Sequence, residues 1–354
     1  MAATSYGLNH PLAVKAWSAR LFEEVTRESY VGKFLGTSSN SLIQRKTELT
    51  KSPGDRIRVG LRMLLTGDGV QGDATAEGNE EALTTYSMDV YIDQLRHAVR
   101  SGGKMSEQRV PFSVREEAMQ GLKDWWMERL EKSVANHLVG NTLQTDARYT
   151  GLNTATAPDS SHWLYANGEA SEASISNTST WGFSLSMLDK AVVKAKTLTP
   201  KIRPVRVNGR DYYVAFLHPN QVYQLRTSTN TGQWLDIQKS AMAGMDSAQS
   251  PIFTGALGVY NGVVLHEWSY LPSFTNSNAN ITGNLYRGAL CGAQAAVMAT
   301  GGGDGSSVTW REELFDYGNQ LGVLGGMIFG VKKTVFNSTD FGTIALSTYS
   351  PTPS

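Results

Sequence analysis

Two short stretches of this chain carry residue types that could do chemistry. Gly67-Asp68-Gly69-Val70-Gln71-Gly72 has the glycine spacing of a dinucleotide-binding turn. Ser101-Gly102-Gly103-Lys104 has the spacing in which a lysine activates a serine nucleophile. Both chemistries depend on a helix. In the first, a helix N-terminus receives the pyrophosphate; in the second, serine and lysine sit one turn apart. No helical pattern follows Gly72, and Asp68, Asp73, Glu77, Glu80 and Glu81 crowd the same segment with carboxylates that would repel a phosphate. Two adjacent glycines make residues 101–104 a hinge. Gly301-Gly302-Gly303-Asp304-Gly305 lacks the lysine and following helix of a phosphate-binding loop. The histidines, His10, His97, His137, His162, His218 and His266, have no i, i+4 pair of the kind that holds a metal on a helix. Cys291 is the single cysteine, which excludes an intrachain disulfide and a multi-cysteine metal site. Its apolar neighbours make it a buried structural thiol, and a reducing compartment during synthesis suits it. No catalytic, cofactor or metal site is expected, and the chain does not read as an enzyme.

The elements around these motifs are more informative. With 354 residues the chain has room for about two or three domains. Its 32 basic and 32 acidic residues cancel, unlike a protein built to grip nucleic acid, although weak contact with DNA through a local patch stays open. No apolar run is long enough to span a membrane, and Met1–Tyr6 lacks the charged and apolar regions of a secretory signal.

Residues 55–100 read as a long antiparallel ribbon. Arg56, Arg58 and Arg62 share one face of its first arm; Ile57, Val59, Leu61 and Met63 share the other. On the second arm Asp89, Tyr91 and Asp93 alternate with Met88, Val90 and Ile92. Pairing with residue numbers summing to 151 would set Arg62 opposite Asp89 and Arg58 opposite Asp93, with Val59 against Ile92 and Leu61 against Val90. An isolated hairpin is marginal in water, so its apolar face is expected to lie on another copy of the chain. The tip, residues 66–85, carries five carboxylates and no basic residue. It is expected to dock on a basic surface of an adjacent subunit, so Asp68, Asp73, Glu77, Glu80, Glu81, Arg58, Arg62, Asp89 and Asp93 are the candidate intersubunit residues.

Residues 12–27 carry the apolar stripe Val14, Trp17, Leu21 and Val25 of a helix, an arm that packs on its own domain or on a neighbour. Ser113 and Glu116 form a capping box before a helix of about 26 residues carrying Val114, Ala118, Leu122, Trp125, Trp126, Leu130, Val134 and Leu138, stopped at Gly140. Residues 141–182, rich in Ser, Thr, Asn and Ala, read as a surface insertion. A compact α/β unit follows over 183–284: a helix at 184–197, a strand at 212–217, a short helix from Pro219, and a strand at 259–266. Strands dominate thereafter, at 285–298, 308–317, 323–333 and 343–349. The basic run Lys194, Lys196, Lys201, Arg203, Arg206 and Arg210 reads as a solvated face.

Arm, ribbon, long helix, α/β unit and returning strands come in a characteristic order. With the wording of Pro53-Gly-Asp-Arg-Ile-Arg-Val, Thr66-Gly-Asp-Gly-Val-Gln-Gly, Tyr91-Ile-Asp-Gln-Leu-Arg-His-Ala-Val and Pro111-Phe-Ser-Val-Arg-Glu-Glu-Ala, the chain resembles the major capsid proteins of tailed bacteriophages, of HK97-type α+β fold. More closely, it looks like the coat-protein family typified by N-four-like podoviruses. The resemblance implies an N-terminal arm over 1–52, an E-loop hairpin over 53–104, a peripheral domain with the spine helix over 105–182 and the C-terminal strands over 285–354, and an axial domain over 183–284. It implies self-assembly into hexamers and pentamers of an icosahedral shell around double-stranded DNA, in the virion, after synthesis in the bacterial host cytoplasm. A portal, a separate scaffolding protein and a cement or decoration protein are implied partners, with no membrane involved. Some relatives seal the shell through an E-loop lysine; here no lysine lies between Ser52 and Gly103, so noncovalent cohesion is expected. The other classes open to these residues are a hydrolase-like α/β enzyme on 183–284 and another virion component, such as a tail or decoration protein.

Overall fold

The computed structural model describes residues 29–50, 53–110, 113–227, 256–276, 281–302 and 308–353. The expected helix at 12–27 and most of the glycine loop at 301–305 lie outside the described residues.

Eighteen strands occur among the described residues. The first five are β1 (Leu35–Gly36), β2 (Ile43–Lys46), β3 (Arg56–Arg62), β4 (Thr85–Tyr91) and β5 (Asp93–Arg100). Then come β6 (Trp163–Tyr165), β7 (Val205–Val207), β8 (Arg210–Leu217), β9 (Gly258–Tyr260), β10 (Val263–Glu267), β11 (Ser273–Asn276) and β12 (Ile281–Cys291). The last are β13 (Ala296–Gly301), β14 (Val308–Phe315), β15 (Gln320–Lys333), β16 (Val335–Phe336), β17 (Thr339–Asp340) and β18 (Thr343–Tyr349). One sheet has the order β1-β2-β13-β15-β14, with β5 also on β15; a second has the order β6-β18-β12-β8-β10-β9, with β7 and β11 on its flanks. β3 and β4 pair only with each other.

The spine helix, Val114–Leu138, forms where its capping signals place it. The Ser113 side chain accepts from the Glu116 amide at 3.3 Å, and Glu116 and Glu117 sit on the positive end of the helix. At the other end Gly140 takes φ 65°, and the amides of Asn141 and Gly140 return to the carbonyls of Asn136 and His137. A side chain at Gly140 would also run into the Thr156 carbonyl. Leu122, Trp126, Leu130, Val134 and Leu138, four residues apart, are buried in one core with Phe34, Phe216, Trp268 and Phe329. Glu131 accepts from the Tyr30 amide (2.6 Å), Ser29 Oγ (3.2 Å) and Trp268 Nε1 (3.1 Å), tying the incoming chain and the second sheet to the spine.

Tyr212–Leu217 is buried on both faces. Val214 and Phe216 face the spine core, whereas Tyr213, Ala215 and Leu217 face the helices Leu185–Thr197 and Pro219–Thr227. Three expectations are corrected here. The strand read over 285–298 is two, β12 and β13, in different sheets; Gln294, at φ 59°, stands in the break between them. β12 also crosses the expected 284/285 boundary, and it pairs with both β8 and β18. The stretch read as a surface insertion contributes β6, parallel to β18, and buries Asn153, Ala155, His162, Ala166 and Ile175. Around Asn261-Gly262 the expected single strand is the hairpin β9–β10.

Candidate intersubunit surface

The ribbon exists, in another register and over a shorter span. β3 pairs with β4 so that residue numbers sum to 147: Arg58 faces Asp89, Val59 faces Met88, Ile57 faces Val90 and Arg62 faces Thr85. The expected partners Arg62–Asp89 and Arg58–Asp93 are not formed. The slip is four residues, an even number, so every side chain keeps its face. Arg58 donates from Nε to Asp89 Oδ1 at 2.7 Å and from its terminal nitrogen to Oδ2 at 2.9 Å. These bonds hold the Asp89 carboxyl below the usual carboxylate range. The second arm ends at Tyr91. Asp93 starts β5, which leaves the ribbon and pairs with β15, setting Asp93 opposite Phe329.

The root of the ribbon has a bed within its own chain, which corrects the expectation of a wholly uncovered apolar face. Ile57, Met88 and Val90 are buried against Val297, Ala299 and Phe336. Polar clamps come from distant segments. Asn153, itself buried, donates to the Tyr91 carbonyl at 2.7 Å and accepts from the Tyr91 amide at 2.9 Å. Lys332 Nζ donates to the Asp89 carbonyl at 2.9 Å. Gly330 is required here, because a Cβ would lie 1.9 Å from the Tyr91 carbonyl oxygen.

Beyond Leu61 and Tyr86 that bed ends. The last ladder bond runs from the Met63 amide to the Thr84 carbonyl. Leu64, Leu65 and Leu83 are then 87%, 63% and 57% exposed. The acidic residues divide into two sets. Glu81 accepts from the amides of Thr66 (2.8 Å) and Gly67 (2.7 Å), which lowers its pKa, and Glu80 accepts from the Gly78 amide (2.7 Å). Both therefore shape the loop itself. Asp68, Asp73 and Glu77 are exposed and have no partner among the described residues.

A second surface went unseen in the sequence. On β15, Val323, Met327, Phe329 and Val331 belong to the spine core, while Gly322, Leu324, Gly326 and Ile328 point the other way. With β5 and β14, Gly322, Leu324 and Ile328 line an open trough of about 590 Å³. Arg96, Arg100 and Arg311 stand in it with Glu313, Phe315 and Ala98. All three arginines are exposed, and among the described residues none has a carboxylate within ion-pair distance. Arg100 lies 4.3 Å over the Phe315 ring. Glycine at 322 and 326 makes the space: a Cβ there would meet Phe315 at 2.6 Å and Arg96 at 3.1 Å. The signal was present in the alternation of Gln94, Arg96, Ala98 and Arg100, but the third arginine comes from a strand some two hundred residues on.

The basic run noticed in the sequence is exposed over most of its length, yet three of its members serve the chain's own fold. Arg203 donates to Gln294 Oε1 (2.9 Å), Arg206 pairs with Asp211 (2.9 Å), and Lys194 donates to the Trp163 carbonyl (3.3 Å).

Comparison with known proteins bears on the whole chain. Residues 5–352 match the family model described as phage capsid protein. A protein of Pseudomonas phage KPP25 named major capsid protein is 28% identical over 362 residues, covering 93% of each chain. The solved capsid of Ralstonia phage GP4 superposes with a TM-score of 0.84 at 36% identity, over 100% of both chains. The capsid of cyanophage Pam1 superposes at 0.71 with 20% identity, over 92% of this chain and 93% of that one, a likeness of fold.

Proposed function

The chain belongs to the phage capsid protein family, and on that premise we propose that its ribbon is the element by which one subunit engages the next. It is a major capsid protein with the HK97-type α+β fold; its role is structural, and its place is the virion shell. The observation that carries the proposal is the unequal burial of the ribbon: a root bedded on its own body, and a tip with exposed leucines and unpaired carboxylates. Residues 1–52 would be the N-terminal arm, 53–104 the E-loop, 105–182 with 285–354 the peripheral domain, and 183–284 the axial domain. A head-to-tail contact that closes into a ring uses one surface for giving and another for receiving, so every ribbon finds a partner. Hexamers and pentamers built this way would close an icosahedral shell around double-stranded DNA. With net charge zero, contact with that DNA would be weak and non-specific. A separate scaffolding protein, a portal and a cement protein complete the proposed set of partners, with synthesis in the host cytoplasm.

Electron microscopy of the purified full-length chain tests the reading. Shells or hexameric rings are expected. Monomers alone at high concentration, with the scaffolding protein co-expressed, would refute it, and tubes or fibres would instead favour a tail component.

A further inference from the structure

The spine helix is pinned to a different sheet at each end, and we propose that the pin at its C-terminal end, Arg287, is the positioning residue that sets the curvature of the shell. Curvature belongs to any shell, whichever element joins its subunits. At the N-terminal end, Arg115 donates from Nε to Glu312 Oε1 at 2.7 Å, on β14 of the first sheet, and Trp310 Nε1 donates to the same oxygen at 3.3 Å. At the C-terminal end, Arg287 stands on β12, which pairs with β8, β11 and β18 in the second sheet, and it is 8% exposed. It donates from Nη1 to the Gly140 carbonyl (3.0 Å), from Nε to Glu172 Oε1 (2.7 Å) and from Nη2 to Glu172 Oε2 (2.5 Å). A cation at that carbonyl also suits the negative end of the helix. Glu172 Oε1 accepts in addition from Ser347 Oγ of β18 at 2.8 Å, and the guanidinium lies over the rings of Phe274 at 3.8 Å and Trp163 at 4.7 Å. One side chain therefore joins the end of the spine, the segment 163–172 and strands β11, β12 and β18.

Apolar burial resists separation of the spine from the sheets, but it has no preferred direction. A guanidinium fork has one: two parallel hydrogen bonds to a carboxylate and a third to a carbonyl fix its plane. The other side of the joint is tight as well, for a Cβ at Gly140 would lie 2.5 Å from the Thr156 carbonyl oxygen. The 25 residues of the spine make a rod of about 37 Å, so a shift of about 1 Å at the Arg287 end turns one sheet against the other by about 1.5°. Every copy in a closed shell would carry the same tilt, and the angles between neighbours add around the shell. A tilt too small to harm the fold is therefore enough to change the radius.

The test is the distribution of shell diameters, measured by electron microscopy on the full chain co-expressed with the scaffolding protein. R287K keeps the charge and loses the fork. R287M/E172Q removes both charges, so that no buried ion is left alone. Shells of either variant should spread in diameter about threefold more widely than those of the wild type, because lysine and arginine are not interchangeable at a forked site. R148K alters an exposed arginine paired with Asp146 two residues away, and should leave the diameters unchanged. Wild-type diameters in both Arg287 variants would overturn the proposal, and so would an equal spread in R148K. Variants that fold, by circular dichroism, yet form no shells would also overturn it, since a small tilt changes the size of a shell and not the ability of subunits to join. If R287K misfolds, the double variant decides. Absence of shells from the wild type would overturn this assignment together with the proposed function, whereas uniform shells from wild type and variants alike would overturn this assignment alone.

Discussion

The two halves of the ribbon share one alternating pattern and differ completely in what covers them. At the root, Ile57, Met88 and Val90 lie on Phe336 and Val297, and backbone groups are clamped by Asn153 and Lys332. At the tip, Leu64, Leu65 and Leu83 face solvent, and Glu81 and Glu80 only tidy the loop. Apolar residues at the root therefore contribute to the stability of the monomer, whereas the exposed leucines at the tip would contribute only when a second molecule covers them, as proposed. On the proposed reading, the contrast lets a subunit fold before its adhesive element is used.

The sharpest way to break this comparison is to remove the tip. Replacing residues 64–83 with a two-residue Asn-Gly turn should abolish shell assembly while leaving the thermal midpoint of the monomer within about 2 °C, since no bed is lost. A large fall in midpoint would mean the tip also serves its own chain. Next comes the strand pair that shapes the root's bed. Lys333 and Asp340 are 1% and 2% exposed and lie 2.8 Å apart, between β15 and β17 on either side of Phe336. Lys333→Ala leaves a buried carboxylate without its counter-ion and should cost about 3–5 kcal/mol in denaturant unfolding. A loss below about 1 kcal/mol would show that the site admits water.

Acid should act on the body before it acts on the tip. Burial lowers the pKa of His137 to about 4, while the unfolded chain takes up that proton near 6.5. Between these values the unfolded state binds more protons, so stability falls as pH drops, by about 3 kcal/mol in total for this group. His137→Asn should flatten that slope; an unchanged profile of unfolding free energy between pH 6.5 and 4 would reject the assignment. A paired substitution compares root and tip directly. Val90→Ala should cost about 2 kcal/mol, and Leu83→Ala less than about 0.5 kcal/mol while reducing assembly. Equal costs would erase the distinction. The smallest effect is expected at Glu81→Gln, which weakens the bonds to Thr66 and Gly67 and should be seen only as faster amide exchange at those two residues.

Local signals were legible and long-range choices were not. The spine helix was readable because its cap, its apolar spacing and its Gly140 stop lie within one stretch. The ribbon's faces were readable for the same reason, but its register was not. Both registers place an arginine opposite an aspartate and keep apolar pairs together; what favours the observed one is Lys332, Asn153 and Phe336, far away in sequence. The segment 141–182 looked like surface because its composition is polar, yet Asn153 is buried with its amide engaged by Tyr91, and His162 is buried with Nδ1 against Asp159. The arginine trough was only half legible: Arg96 and Arg100 alternate along one strand, but three strands must assemble before Arg311 stands near them.

One buried amide carries a mechanical consequence. Asn153 grips both polar backbone groups of Tyr91, one residue before the chain turns from β4 into β5. β4 alone is seven residues, about 23 Å at 3.3 Å per residue, so the loop sits at the end of a long lever. A tilt of about 10° at the fulcrum would sweep the far end by about 4 Å, more than the ~3 Å a hydrogen bond can span. On the proposed reading, the aim of each subunit toward its neighbour would depend on a side chain in the interior, well away from the contact it helps to direct.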